Sequence, residues 1–215
     1  MITEKLFELR DAEYAAFQSR LTPGIPPERF IGVRVPQMRR FAKELKNTPE
    51  ADAFLADLPH TWYDENYLHS LLLNECKDYQ TCLEQVTAFL PHIDNWAVCD
   101  SFYPPVFHRH RQELLPHILR WLQSGETYTV RFGVNMLMGF YLGDAFTEEC
   151  PALAAKSACG DYYIDMVVAW YFAEALVKQR EVVLPYFAEK RLPKWTHNKA
   201  IQKAKESFRV SEEHK

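Results

Sequence analysis

Val35-Pro36-Gln37-Met38-Arg39-Arg40-Phe41-Ala42-Lys43-Glu44-Leu45-Lys46 sets the pattern for the whole chain. Its apolar side chains, Val35, Met38, Phe41, Ala42 and Leu45, recur at spacings of three and four, so they fall on one stripe of a helix. Arg39, Lys43 and Lys46, at i, i+4 and i+7, share another face. The same period returns in Leu6, Leu9 and Phe17 and in nearly every later segment, whereas strand-like alternation is almost absent. Only seven glycines occur, and prolines stand where helices should begin or end, among them Pro36, Pro49, Pro116, Pro151, Pro185 and Pro193. The pattern predicts ten to twelve helices, over roughly 3–18, 36–46, 49–56, 65–76, 80–90, 96–101, 113–123, 127–142, 148–156, 162–178, 182–189 and 198–206. This is an all-α chain.

At 215 residues, with no composition shift or Gly/Ser linker, one domain spanning 1–215 is expected. Leu-Pro-His recurs at Leu58, Leu90 and Leu115, a faint hint of repetition compatible with a bundle or with a stack of helix pairs. Such a stack curves, and its concave face can present distant residues to a rod-shaped ligand. Five scattered cysteines, Cys76, Cys82, Cys99, Cys150 and Cys159, lack the close pairing of a zinc site or a disulfide scaffold, so reduced, buried thiols in the cytosol are expected. The N-terminus has no basic start followed by an apolar run, and the most apolar segment, 162–177, is broken by Asp165 and Glu174 and is too short for a bilayer. A monomer is the simplest expectation.

Net charge is −4, but it is unevenly placed. Segment 29–46 carries a net +5 and segment 190–209 a net +6, leaving −15 on the remainder. Two basic segments in an acidic body suit a polyanion held on one surface, although basic helix faces are more often merely solvated.

Two further stretches carry candidate chemistry. In Asp94-Asn95-Trp96-Ala97-Val98-Cys99-Asp100, Trp96 and Asp100 lie four apart and project from one helix face. The plainer reading has Asp94 or Asn95 capping the helix, Trp96 in the core and Asp100 in solvent. Arg131 is the only charged residue between Thr127 and Gly143, and Trp170 lies in the later apolar run. A lone guanidinium on such a helix must reach solvent, pair with a carboxylate, or face an anion from outside. Together an indole, a carboxylate, a guanidinium and a second indole suit a cationic, planar, phosphate-bearing ligand.

These residues resemble a known family, the bacterial HEAT-like repeat DNA alkylation-repair proteins, the AlkD-like alkylpurine DNA glycosylases. Phe30-Ile31-Gly32-Val33-Arg34-Val35-Pro36-Gln37-Met38-Arg39-Arg40-Phe41-Ala42-Lys43-Glu44-Leu45 is similar to the family's N-terminal signature. Asp94 to Ser101 is similar to its active-site segment, and Arg131 and Trp170 fall on its arginine and its second aromatic. The likeness runs from the first helix nearly to the end, in the same order and approximate spacing.

The resemblance implies a curved, right-handed stack of antiparallel helix pairs holding double-stranded DNA that contains alkylated bases. It implies a monofunctional glycosylase for cationic N3- or N7-alkylated purines, needing no metal or cofactor and no flipping of the lesion into a pocket. A cytoplasmic, nucleoid-associated bacterial protein follows. Asp100 would be the catalytic carboxylate, stabilising the oxocarbenium-like sugar and orienting water. Trp96 and Trp170 would pack against the deoxyribose and backbone, Arg131 would hold a phosphate, and Arg39, Lys43, Lys46, Lys199 and Lys203 would make sequence-independent phosphate contacts.

Departures from the family pattern occur at Val130, Asp165, Met166 and Ala173, where positive charge is usual, and Asp165 is a candidate partner for Arg131. Glu174 reads as a helix residue paired locally, and His108-Arg109-His110-Arg111 as a solvated helix end. Trp62 and Trp121 read as packing aromatics, with Trp195, between Lys194 and His197, the one of these to test for DNA contact. Two other functions fit the same sequence. One is a non-catalytic member of the superfamily that binds branched or distorted DNA, and the other a helical-repeat scaffold for a protein partner.

Overall fold

The computed structural model describes residues 1–210. Among these, thirteen α-helices and three short 3-10 turns account for the regular structure, and no strand is present. The chain divides into two compact units, Met1–Phe107 and His108–Lys215.

The first unit holds α1 (Ile2–Glu8), α2 (Ala12–Leu21), α3 (Val35–Leu45), α4 (Pro49–Ala56), α5 (Tyr63–Asn74), α6 (Tyr79–Phe89) and α7 (Trp96–Ser101). Its axis is α5, which packs against α1, α3, α4, α6 and α7 and is buried along every residue from Tyr63 to Leu73. A helix enclosed on all sides loses its polar face, so its polar side chains need internal partners. Glu65 supplies two N-terminal ones, its carboxylate accepting from Thr61 N at 3.1 Å and Trp62 N at 3.0 Å, and it also accepts from Thr3 Oγ1 at 2.6 Å.

Asp64 does more. Its carboxylate accepts from Ile31 N at 2.7 Å, Gly32 N at 3.2 Å and Val33 N at 2.7 Å, holding the extended stretch that leads into α3. Burial pushes the Asp64 carboxyl up from its ordinary range, against the opposing pull of those three N–H groups. Gly32 has φ +91°, and a Cβ there would stand 2.3 Å from Asp11 O, so only glycine fits.

That close approach explains a departure from the sequence reading. The single helix expected over 3–18 is two, because Asp11 N donates to Gly32 O at 3.1 Å while Asp11 Oδ1 caps α2 by accepting from Tyr14 N at 2.9 Å. A residue serving as an N-cap has left helical geometry, so the helix is interrupted there.

The second unit holds α8 (Arg111–Leu122), α9 (Thr127–Phe140), α10 (Glu149–Ser157), α11 (Tyr162–Lys178), α12 (Arg180–Ala188) and α13 (Lys194–Glu206). Here α11 is central, packed on α9, α10, α12 and α13, with α8 on α9. Contacts between helices that are neighbours or next neighbours in sequence are the packing of a helical-repeat solenoid. α11 begins where Asp161 Oδ1 accepts from Tyr163 N at 2.8 Å and Ile164 N at 3.1 Å.

Other expected bounds shift by a few residues, except that α13 begins at Lys194 rather than Asn198, with Pro193 before it and Thr196 fully buried. Pro116 and Pro185 lie inside α8 and α12 rather than at their ends. Each stands on the second turn, where it removes one backbone hydrogen bond. The expectation of buried thiols holds for Cys82, Cys99 and Cys150, whereas Cys76 is half-buried and Cys159 exposed.

Candidate functional site

In the first unit, Trp96 and Asp100 share α7, which at six residues is too short to hold itself. Its start is fixed by Asn95, whose Oδ1 accepts from Val98 N at 2.9 Å, so Asn95 rather than Asp94 is the cap. Asp94 instead accepts from Arg29 Nη1 at 3.1 Å, and Arg29 Nε donates to Thr61 O at 2.7 Å. The Trp96 indole N–H donates to Leu21 O at 3.1 Å, so the ring is pinned at the end of α2 and stays half-buried rather than entering the core.

The other end of α7 is clamped by Asn74, the last residue of α5. Its Nδ2 donates to Ser101 O and its Oδ1 accepts from Tyr103 N, both at 2.7 Å. Ser101 Oγ lies 3.0 Å from Tyr67 Oη and 2.8 Å from Ala97 O. Asp100, half-buried on this helix, therefore stands on a backbone tied to the most deeply packed element of the unit.

Arg39 and Lys43 of α3 line a hollow of about 230 Å³ together with Asn74, Glu75 and Ser101, at the same clamped end of α7. Lys46 borders a neighbouring hollow, and its Nζ pairs at 3.1 Å with Glu75, which lines both. Of the six cations in the first basic segment, Arg29, Arg34 and Lys46 are spent on Asp94, Asp11 and Glu75. Arg39, Arg40 and Lys43 have no ion-pair partner among the described residues, and all three are exposed.

In the second unit, Arg131 and Trp170 come together. The guanidinium lies 5.3 Å from the centre of the Trp170 ring, and its Nη1 donates to Tyr163 O at 2.6 Å. Arg131 is 2% exposed, among the largest fully buried side chains of the described residues, while Trp170 is half-buried. Asp165 does not fill the role of counter-ion considered for it, because its Oδ1 accepts from Cys159 N at 3.0 Å and Gly160 N at 3.3 Å, ahead of its own helix.

Trp170 borders a hollow of about 460 Å³ formed with Met138, Gly139, Ala173, Glu174, Lys203 and Arg209. Lys203, from α13, thus reaches the same hollow as the indole. Glu174 pairs with Arg209, distant in sequence, rather than with a neighbour on its helix. Lys199 sits one turn earlier on α13, its Nζ 5.6 Å from the centre of the Trp195 ring, and Trp195 is 41% exposed and edges against Tyr162. Trp121 is buried, whereas Trp62 is half-buried and packs edge-on against Phe7.

Asn74, Leu21, Tyr67 and Tyr163 carry no sequence signal. Two of these positions act through backbone oxygens, which any residue would supply. Among the described residues no cluster of three or more His, Cys, Asp or Glu side chains is placed to hold a metal ion. Nor is any described helix long and apolar enough to cross a membrane.

The fold and these side chains define an all-α helical-repeat protein that sets aromatic and cationic groups along its helices. Residues 2–204 match the family model of the DNA alkylation repair enzymes, and the chain belongs to that family. Membership carries a role in DNA repair, with DNA as substrate or partner. No curated protein matches the chain.

Proposed function

We propose that the protein is a DNA glycosylase that hydrolyses the N-glycosidic bond of cationic N3- or N7-alkylated purines in duplex DNA, without metal or cofactor. The observation that carries the reading is α7, which offers an indole and a carboxylate four residues apart, both half-buried and both on a backbone fixed at its two ends.

Alkylation leaves positive charge on the purine, so the C1′–N bond breaks with its electron pair going to the base, and the charge passes to the sugar. Asp100, ionised, offers the opposing charge as the sugar becomes oxocarbenium-like. Water then adds at C1′ and releases its proton to the carboxylate or to solvent, leaving a neutral alkylpurine and an abasic site. Trp96 and Trp170 each offer an electron-rich face to deoxyribose or to the adjoining backbone, where cationic character is favoured. Arg131, a fixed cation beneath the Trp170 ring, favours a backbone phosphate there. Arg39, Lys43, Lys46, Lys199 and Lys203 contribute phosphate contacts without base preference.

The test is release of 3-methyladenine and 7-methylguanine from methylated duplex DNA. Release should fall about a hundredfold or more in Asp100→Asn, with unchanged thermal unfolding. No release at any salt concentration would sink the proposal. Salt-sensitive binding without release would favour a non-catalytic DNA-binding role, and no DNA binding at all would favour a protein scaffold.

A further inference from the structure

In the second unit, the first turns of α9, α11 and α13 carry a row of aromatic rings. Between ring centres, Tyr128 lies 5.5 Å from Tyr163, Tyr163 lies 5.3 Å from Tyr162, and Tyr162 lies 5.7 Å from Trp195, the last two pairs edge to face. Tyr128 and Tyr163 are half-buried, whereas Tyr162 is 58% and Trp195 41% exposed. Single exposed apolar side chains are ordinary on a protein surface, but two large rings in contact there make an aromatic patch open to solvent.

Positive charge accompanies this patch. Lys199 Nζ stands 5.6 Å from the centre of the Trp195 ring, and Lys194 precedes Trp195 in sequence. A hollow of about 450 Å³ opens at the same turn of α13, lined by Lys190, Leu192, Lys194, His197 and Asn198, none of them acidic. The ion pairs of the second basic segment use Arg191, Lys203 and Arg209, and none among the described residues uses Lys190, Lys194 or Lys199. Asp161, the carboxylate just before Tyr162, is already engaged, accepting from Tyr163 N at 2.8 Å, Ile164 N at 3.1 Å and Thr127 Oγ1 at 3.0 Å.

We propose that Tyr162 and Trp195 form a stacking platform for unpaired bases of a DNA strand, while Lys199 and the hollow lined by Lys190 and Lys194 hold the phosphates of that strand. A base inside a duplex has both faces covered by its neighbours, so a protein ring can stack only on a base that is unpaired or at a strand end. Every base has such a face, so the platform is indifferent to sequence. Rings with ammonium groups beside them suit a ligand whose aromatic and anionic parts alternate at short intervals, as they do along a single strand. An apolar protein face would gain nothing from the three ammonium groups. The inference takes DNA as the partner from family membership, and rests neither on Asp100 nor on any chemistry at the glycosidic bond.

The test measures binding of the full chain to two fluorescently labelled strands of about twelve nucleotides at equal salt. One is oligothymidine, and the other is the same backbone with abasic deoxyribose at every position. Both carry the same charge, so the difference between them reads base stacking rather than phosphate contact. Oligothymidine should bind more tightly by about tenfold or more, and the double variant Tyr162→Ala, Trp195→Ala should bring the two affinities together. Tyr162→Phe with Trp195→Phe, which keeps two rings, should retain most of the preference. Lys190→Glu with Lys194→Glu should weaken both strands alike. Equal affinity of the parent protein for the two strands would overturn the proposal, whatever the variants do. So would a preference that survives the double alanine variant, which would put the bases elsewhere. Binding of neither strand would also overturn it and leave the patch to a protein partner. Release of alkylpurines from duplex DNA is scored separately. A protein that releases none yet discriminates the strands loses the glycosylase reading and keeps this one, and the reverse result does the opposite.

Discussion

At the scale of single residues, the protein depends on positions whose chemistry has no substitute. Gly32 is one, since its positive φ and the 2.3 Å approach to Asp11 O leave no room for a methyl group. Gly32→Ala should cost about 3 kcal/mol or more, read as a lower urea midpoint with an unchanged slope. Asp64 is another. Removing its carboxylate strands three buried N–H groups, and Asp64→Ala should cost about 3 kcal/mol in the same measurement. A loss below about 0.5 kcal/mol in either variant would show that the 31–33 stretch is held by something else. Arg131 was conspicuous in the sequence because charge in an apolar run is costly. Asn74 was not, because an Asn near a helix end has many uses and its two partners lie 27 and 29 residues away.

At the scale of elements, helices were legible wherever an apolar stripe repeats, as in α3, because that signal is local. The break between α1 and α2 was not, because it rests on Gly32 rather than on nearby residues. The start of α13 was missed because Lys194 to His197 look polar, although Thr196 is buried. A second consequence belongs to α5. His69 is 1% exposed, stacks on Phe89 at 3.9 Å between ring centres, and lies 2.8 Å from His60 Nε2 through its Nδ1. Burial, then the nearby His60 and His92, pushes the His69 pKa down to about 2, and burial lowers that of His60 as well. The unfolded chain therefore binds protons near pH 6.5 that the folded chain refuses. Stability should be constant above that pH and fall on acidification by about 1.4 kcal/mol per pH unit from His69 alone. Urea midpoints between pH 7 and 5 should show this slope, flattened in His69→Phe. An equal slope in both proteins would assign the acid sensitivity to other groups.

For the whole molecule, the acidic balance hides two basic segments, and the structure sorts their cations into those ion-paired within the protein and those that are not. Arg29, Arg34 and Lys46 are ion-paired in the first segment, and Arg191, Lys203 and Arg209 in the second. Arg39, Lys43 and Lys199 carry no such partner among the described residues. If DNA is held by released counterions, the logarithm of affinity should fall linearly with the logarithm of salt concentration, by roughly 0.9 per phosphate engaged. The double variant Lys199→Glu, Lys203→Glu should reduce that slope by about 1 to 2 and weaken binding to all sequences alike. An unchanged slope would remove α13 from the DNA surface. Net charge gave no guide to this, since it averages over groups that already neutralise each other.

The fastening of α7 bears on any effort to borrow it. Six residues carry the indole and the acid, yet their posture is dictated by a carbonyl on α2, a hydroxyl and an amide on α5, and the cap before them. Grafting the peptide into a foreign scaffold would transplant its letters without its stance. A working graft would have to bring Leu21, Tyr67 and Asn74 with it.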